Sequence, residues 1–240
     1  MCGRFVLISD VSNIVEEFDI DQVSGNVRKS YNIAPGSDAA AVICDGVMKL
    51  ISLRWGLIPA WAQNPSMGSR LINARAETVA DKPSFRDAFK NRRCLIIADG
   101  YYEWKRGEKG KIPFYMRLKS QKPFGFAGLY EKWSSPGGQE IQTCSIITTE
   151  PNKLVGPIHN RMPAIIPKEG EALWLDSTVF DRRALLDLLG PLPGEAMETY
   201  PVSTLVNVPA HNFSECIAPL SQGDSEKTWA GNGVLKSEKL

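Results

Sequence analysis

Runs of β-branched and aromatic residues follow one another along this chain with few helix-length apolar stripes between them, and that succession restricts the fold more than anything else. The runs cover residues 40–44, 47–53, 94–98, 114–118, 124–130 and 141–148. The first two flank Asp45-Gly46, a pair suited to a two-residue hairpin turn because glycine takes a positive φ at no steric cost. Helical spacing is confined to short stretches. Val11, Ile14, Val15 and Phe18 fall at i, i+3, i+4 and i+7, and further helices are expected over 84–90 and 181–189, the last stopped by Gly190-Pro191. Strands and helices do not alternate, which argues against a doubly wound parallel sheet. The expected fold is α+β: one domain over residues 1–220 with a curved, mostly antiparallel, barrel-like sheet core and flanking short helices. Residues 221–240 are polar and nearly without large aliphatics, so a flexible tail is expected there.

Composition decides a few further points. A chain of 240 residues, 43% hydrophobic and 23% charged, is long enough to bury one substantial core. It contains no run of 18 apolar residues, and its start lacks the basic and apolar regions of a signal peptide. No membrane span and a cytoplasmic location are therefore expected, with nucleoid association if the source is bacterial. The five cysteines, Cys2, Cys44, Cys94, Cys144 and Cys216, are odd in number and form no C-x-x-C pair, which argues against a disulfide framework and a structural zinc site. A formal net charge of +1 gives no global attraction to nucleic acid, so any such binding must come from a local cluster of arginines.

The chemistry with most reach sits at the start, Met1-Cys2-Gly3-Arg4-Phe5. Loss of Met1 leaves an α-amino group and a thiol on adjacent carbons of one residue. An α-amino group titrates near about 7.7–8.0 against about 10.4 for lysine, so at neutral pH it is the uncharged nucleophile roughly a few hundred times more often. It would attack a carbonyl first. The Cys2 sulfur, with a free pKa of about 8.5, would then close a five-membered thiazolidine ring at high effective molarity. A cysteine at position 2 buried as a small apolar residue is the competing reading.

Three polar segments interrupt apolar stretches. Asn73-Ala74-Arg75-Ala76-Glu77-Thr78, if extended, lines one face with an amide, a guanidinium and a carboxylate; an exposed strand face with an Arg–Glu pair fits equally well. Glu103 lies among aromatics in Asp99-Gly100-Tyr101-Tyr102-Glu103-Trp104, where partial burial would raise its pKa and suit it to proton transfer, although a solvated strand end is the alternative. Pro157-Ile158-His159-Asn160-Arg161-Met162-Pro163 holds one of only two histidines, beside a potential phosphate-binding arginine and two prolines that stiffen the loop. A lone histidine also serves structure.

Seven motifs occur in order: Met1-Cys2-Gly3-Arg4-Phe5, Tyr31-Asn32-Ile33-Ala34-Pro35-Gly36, Arg54-Trp55-Gly56-Leu57-Ile58-Pro59-Ala60-Trp61, Ile72-Asn73-Ala74-Arg75-Ala76-Glu77-Thr78, Ala98-Asp99-Gly100-Tyr101-Tyr102-Glu103-Trp104, Ile158-His159-Asn160-Arg161-Met162-Pro163 and Tyr200-Pro201-Val202-Ser203-Thr204. Together they resemble the SRAP family, the SOS-response-associated peptidase-like proteins of bacteria and their eukaryotic relatives that shield abasic sites. The resemblance covers about residues 2–220. It implies a covalent activity on single-stranded DNA in which Cys2, freed of Met1 by self-cleavage or an aminopeptidase, forms a thiazolidine with the aldehyde of an abasic sugar. By the same resemblance Asn73 would orient the terminal amine or the sugar, Glu103 would act as acid and base, and His159 would assist proton transfer in Schiff-base steps and reversal. Arg4, Arg75 and Arg161 would hold phosphates, a task guanidinium performs bidentately. Trp61 and Trp104 are candidates for stacking on bases. No metal or organic cofactor is implied, since every reactive group is a side chain or the terminus. Two other classes begin from the same residues: a class II glutamine amidotransferase, which also starts Cys-Gly, and a noncovalent single-strand-binding module in which Cys2 is incidental.

Overall fold

The computed structural model describes residues 2–108, 110–135 and 137–220. Thirteen strands are formed: β1 (Phe5–Leu7), β2 (Gln22–Val23), β3 (Ser30–Ile33), β4 (Asp38–Cys44), β5 (Met48–Trp55), β6 (Asn73–Arg75), β7 (Arg93–Ala98), β8 (Gly100–Gly107), β9 (Gly110–Leu118), β10 (Phe124–Ser134), β11 (Glu140–Thr149), β12 (Met162–Pro163) and β13 (Met197–Pro201). Four short helices accompany them: α1 (Val11–Glu17), α2 (Arg86–Asn91), α3 (Glu171–Leu175) and α4 (Arg182–Asp187). The α+β expectation holds. The expected tail at 221–240 lies outside the described residues. Among the described residues no helix is long and apolar enough to cross a membrane.

The strands make two sheets. One is open and runs β13-β9-β8-β1-β3, all antiparallel. In the other, antiparallel pairs link β11 to β10, β10 to β7, β7 to β4 and β4 to β5, and a parallel pairing of Thr143 with Arg54 and Cys144 with Trp55 joins β11 back to β5. Five strands thus close on themselves as a barrel, and closure removes the exposed hydrogen-bonding edges of an open sheet. All six residues of β7 are buried, because the barrel interior covers one face while α2, α3 and β1 pack near the other. That double burial explains why Cys94-Leu95-Ile96-Ile97-Ala98 is apolar without alternation.

The turn at Asp45-Gly46 departs from expectation. Cys44 pairs with Met48, so the loop holds three residues, 45–47, with Gly46 at φ +94°. The predicted N-terminal helix forms with Ile14 and Phe18 buried, whereas Val11 and Val15 stay at the margin. The helix expected over 181–189 is α4, where the Asp181 carboxylate accepts from the amides of Arg183 (3.0 Å) and Ala184 (3.1 Å).

Strand β1 carries the N-terminus into the middle of the molecule. Phe5 pairs with Ile33 on one side and Tyr101 on the other, and its ring packs edge-on against Trp55 (5.1 Å) and Phe126 (5.9 Å). Burying such a ring stabilises by about 2–3 kcal/mol. Asp99, between β7 and β8, fastens the far end of β1: its carboxylate accepts from the Ile8 amide (2.5 Å), the Ser9 amide (2.8 Å) and the Ser9 hydroxyl (2.5 Å). Asp99→Ala strands all three donors, and a loss of about 3 kcal/mol is expected in urea unfolding. A midpoint equal to wild type would show that β1 is held without this anchor.

Candidate active site around the N-terminal cysteine

Three elements converge on Cys2. The Tyr102 amide donates to the Arg4 carbonyl at 3.0 Å, so the N-terminal segment runs antiparallel along β8 and the residues before Arg4 lie beside Glu103. Asn73 opens β6, which pairs parallel to β11 with Asn73 opposite Ile146. Its position is fixed from both sides: the Ile72 carbonyl accepts from the Trp55 indole (2.9 Å) and the Ile146 amide (3.1 Å), and the Thr148 hydroxyl donates to the Ala74 carbonyl (3.1 Å). From there Asn73 Nδ2 donates to the Cys2 carbonyl at 2.7 Å, while the buried Asn73 Oδ1 has no hydrogen-bond partner. The amide therefore grips the backbone of Cys2.

His159 ends a loop braced by Asn152, whose Oδ1 accepts from the amides of Leu154 (3.0 Å) and Val155 (2.9 Å). His159 Nδ1 lies 3.1 Å from the Arg161 amide nitrogen and 3.2 Å from the Arg161 carbonyl oxygen, so it accepts from the one or donates to the other according to its tautomer. His159 Nε2 lies 4.0 Å from Glu103 Oε2. Burial lowers the His159 pKa, which keeps it neutral near pH 7.

Electrostatics separate the two central groups. Glu103 is 2% exposed, and burial pushes its carboxyl from the ordinary 4.5 up to about 7, the range of an acid–base group working at neutral pH. Cys2 is fully buried, and its thiol is pushed up by that burial and further by the Glu103 charge. The free value near 8.5 expected from sequence does not apply here. In this state the sulfur is a protonated thiol 3.8 Å from the Arg4 carbonyl, so a thiolate has to be made by handing its proton to a neighbouring base.

The arginines divide. Arg75 is exposed at the end of β6. Arg4 Nη1 donates to Asn32 Oδ1 (2.7 Å) and to the Val206 carbonyl (2.8 Å), tying the N-terminal segment to the turn at Thr204–Asn207. Arg161 grips Glu77 bidentately (2.5 and 3.0 Å) and also donates to the Thr148 carbonyl. The strand expected through Thr78 ends at Arg75, so Glu77 turns away and pairs with Arg161 instead of Arg75. Trp61 is 57% exposed on a loop whose next residue, Ala62, is buried and accepts from the Trp133 indole at 2.6 Å. Trp104 is half-buried and donates to Asn207 Oδ1 at 2.8 Å, which leaves it a packing residue.

The sequence reading missed two groups that shape this site, Asn32 and Thr148, and paired a third, Glu77, with the wrong arginine. Asn32, buried in β3, accepts from Arg4 and donates to the Val208 (3.0 Å) and His211 (2.8 Å) carbonyls. Thr148 and Glu77 receive Arg161. A lone amide inside the apolar strand at Tyr31-Asn32-Ile33 is the one signal that pointed to such a role.

Sequence and fold comparisons match this arrangement. The model of the SOS response associated peptidase (SRAP) family matches residues 1–209. The chain belongs to the SRAP family. The abasic site processing protein YoqW of Bacillus subtilis (strain 168) is 49% identical over 221 residues, covering 90% of this chain and 99% of the relative. The abasic site processing protein HMCES of Xenopus tropicalis is 31% identical over 232 residues, covering 83% of this chain and 69% of the relative. A crystal structure of a protein from Bacteroides thetaiotaomicron superposes with a TM-score of 0.83 at 26% identity, covering 92% of this chain and all (100%) of that one. SRAP membership agrees with the barrel and with the seven motifs, four of which hold Cys2, Asn73, Glu103 and His159.

Proposed function

We propose that this chain processes abasic sites in DNA as part of the damage response, capturing the lesion in single-stranded DNA as a covalent thiazolidine on Cys2 once Met1 has been removed in a peptidase-like step. The observation that carries the reading is the Asn73 grip on the Cys2 carbonyl at 2.7 Å, which holds this residue beside a carboxyl tuned to about 7. The names of the relatives supply the substrate class.

The proposed sequence balances on Glu103. The amine of Cys2 attacks the aldehyde carbon of the opened sugar, and the carbonyl oxygen becomes a hydroxyl. Glu103, protonated, gives its proton to that hydroxyl, which leaves as water, and an iminium remains. The Glu103 carboxylate then takes the proton of the Cys2 thiol, and the sulfur closes on the iminium carbon while the C=N pair moves to nitrogen. Glu103 ends as it began. His159, neutral and with its Nε2 4.0 Å from Glu103, relays protons in the Schiff-base steps and in reversal. Arg75 is the guanidinium best exposed to take a phosphate; Arg4 and Arg161 act with their N–H groups not already committed, and Trp61 offers a stacking face.

Incubation with a single-stranded oligonucleotide carrying an abasic site, followed by a denaturing gel, tests the reading. A heat-stable shifted band is expected. A noncovalent binder leaves the oligonucleotide unshifted, and a glutamine amidotransferase would instead release ammonia from glutamine.

A further inference from the structure

Of the three fully buried tyrosines in adjoining strands, two have hydroxyl partners. Tyr102 donates to the Tyr31 carbonyl (2.7 Å) and Tyr115 to the Asp99 carbonyl (3.4 Å). Tyr101, with no exposed surface, has none. A buried hydroxyl without a partner is a few kcal/mol of unmet desolvation, roughly 1–3, and buried polar atoms in native proteins are overwhelmingly satisfied. The orphan therefore asks what it is for.

Its place answers. Tyr101 and Glu103 are two apart on β8 and so project from the same face. Tyr101 pairs with Phe5 and its ring packs edge-on against Phe126 at 5.9 Å. The ionisable groups acting on it are Cys2 and Glu103, and burial raises its own pKa well above the ordinary value, so it keeps its proton throughout the neutral range. The Cys2 sulfur is satisfied only as a thiol, as the donor to the Arg4 carbonyl at 3.8 Å. A thiolate is an acceptor and cannot use a carbonyl. It needs a donor, and Tyr101, buried in the same core cluster as Cys2, is a donor that lacks an acceptor.

We propose that the Tyr101 hydroxyl is a further catalytic residue, donating a hydrogen bond to the Cys2 sulfur as it becomes a thiolate and closes the ring. This rests on the function proposed above. In that step the S–H bond breaks and its proton passes to the Glu103 carboxylate, the C–S bond forms, the C=N pair moves to nitrogen, and the Tyr101 O–H bond stays intact. The donor offsets the desolvation cost of a thiolate in this fully buried site. The other titratable groups around the sulfur are, once Met1 is removed, the terminal amine of Cys2 and, behind Glu103, His159 with Lys111 acting on it.

Tyr101→Phe tests this, since it keeps the ring against Phe126 and removes only the hydroxyl. In the Met1-free protein, alkylation of Cys2 is followed across pH by mass spectrometry of the N-terminal peptide. The thiol limb of the profile should move to higher pH, with the rate at pH 7 falling about tenfold or more, as expected for losing a hydrogen bond to a charged group. On abasic DNA, borohydride-trapped imine should form at the wild-type rate while ring closure slows about ten- to a hundredfold. Thermal unfolding should be unchanged or improved. An alkylation profile coincident with wild type overturns the proposal, and so does a marked loss of stability, which would mean the hydroxyl already has a structural partner. Failure of the wild-type protein to form any adduct would sink the abasic-site reading instead, and the alkylation arm would still decide Tyr101.

Discussion

Cys2→Ser is expected to leave no heat-stable adduct on abasic DNA. The amine can still form an imine, but closure then depends on an alcohol, a far weaker nucleophile than a thiol, inside a site that already pushes the thiol's own pKa upward by burial. Ring closure is expected to slow on the order of a thousandfold or more, so that what remains is an imine lost on heating. Denaturing gels with and without borohydride distinguish the cases: the variant should crosslink only when reduced. A heat-stable band without reductant would remove sulfur from the mechanism. An uncleavable N-terminal extension, which converts the amine to an amide and leaves the thiol, is expected to abolish both bands.

Glu103→Gln has the second largest effect, on rate and on the pH dependence of stability. If Glu103 is the proposed general acid and base in two consecutive proton transfers, a loss of about 10²–10⁴-fold in crosslinking rate is expected in single-turnover time courses. The wild-type rate should also titrate with a midpoint near the raised value of about 7, a limb that glutamine cannot show. Stability carries the matching signature. Because burial raises the folded carboxyl from 4.5 to about 7, the folded chain holds a proton between those pH values that the unfolded chain has released. Its contribution is therefore fully present below about 4.5 and is lost as pH rises through about 7. Denaturant midpoints of the wild type should fall across that window more steeply than those of Glu103→Gln, and the variant should be the more stable protein at pH 8. Parallel midpoint curves would place the titration on another group.

Much of this was legible in the residues because side-chain periodicity and burial are local. The runs at 94–98, 114–118, 124–130 and 141–148 fall within β7, β9, β10 and β11, and the spacing of Val11, Ile14, Val15 and Phe18 marks α1. The hairpin loop was one residue too short in expectation, since an Asp-Gly pair announces a turn without stating how many residues oppose one another. The motifs picked out Cys2, Asn73, Glu103 and His159, and the structure brings Asn73 and Glu103 to Cys2 and His159 to Glu103.

Alternation along a strand reports which face is buried, not which strand lies beside it. The closure of the barrel by a parallel β5–β11 pair joins residues nearly 90 positions apart, and no local pattern encodes it. The same distance hides the partners of the arginines: Glu77 looks committed to Arg75 two residues away, yet the chain turns after β6 and delivers it to Arg161. Titration is likewise a property of the assembled site. Residue type alone determined that a thiol, an amide, a carboxyl and an imidazole were present; only packing decided that the thiol is protonated, that the carboxyl is poised near 7, and that one tyrosine hydroxyl is buried without a partner, because each depends on how much water the tertiary structure removes.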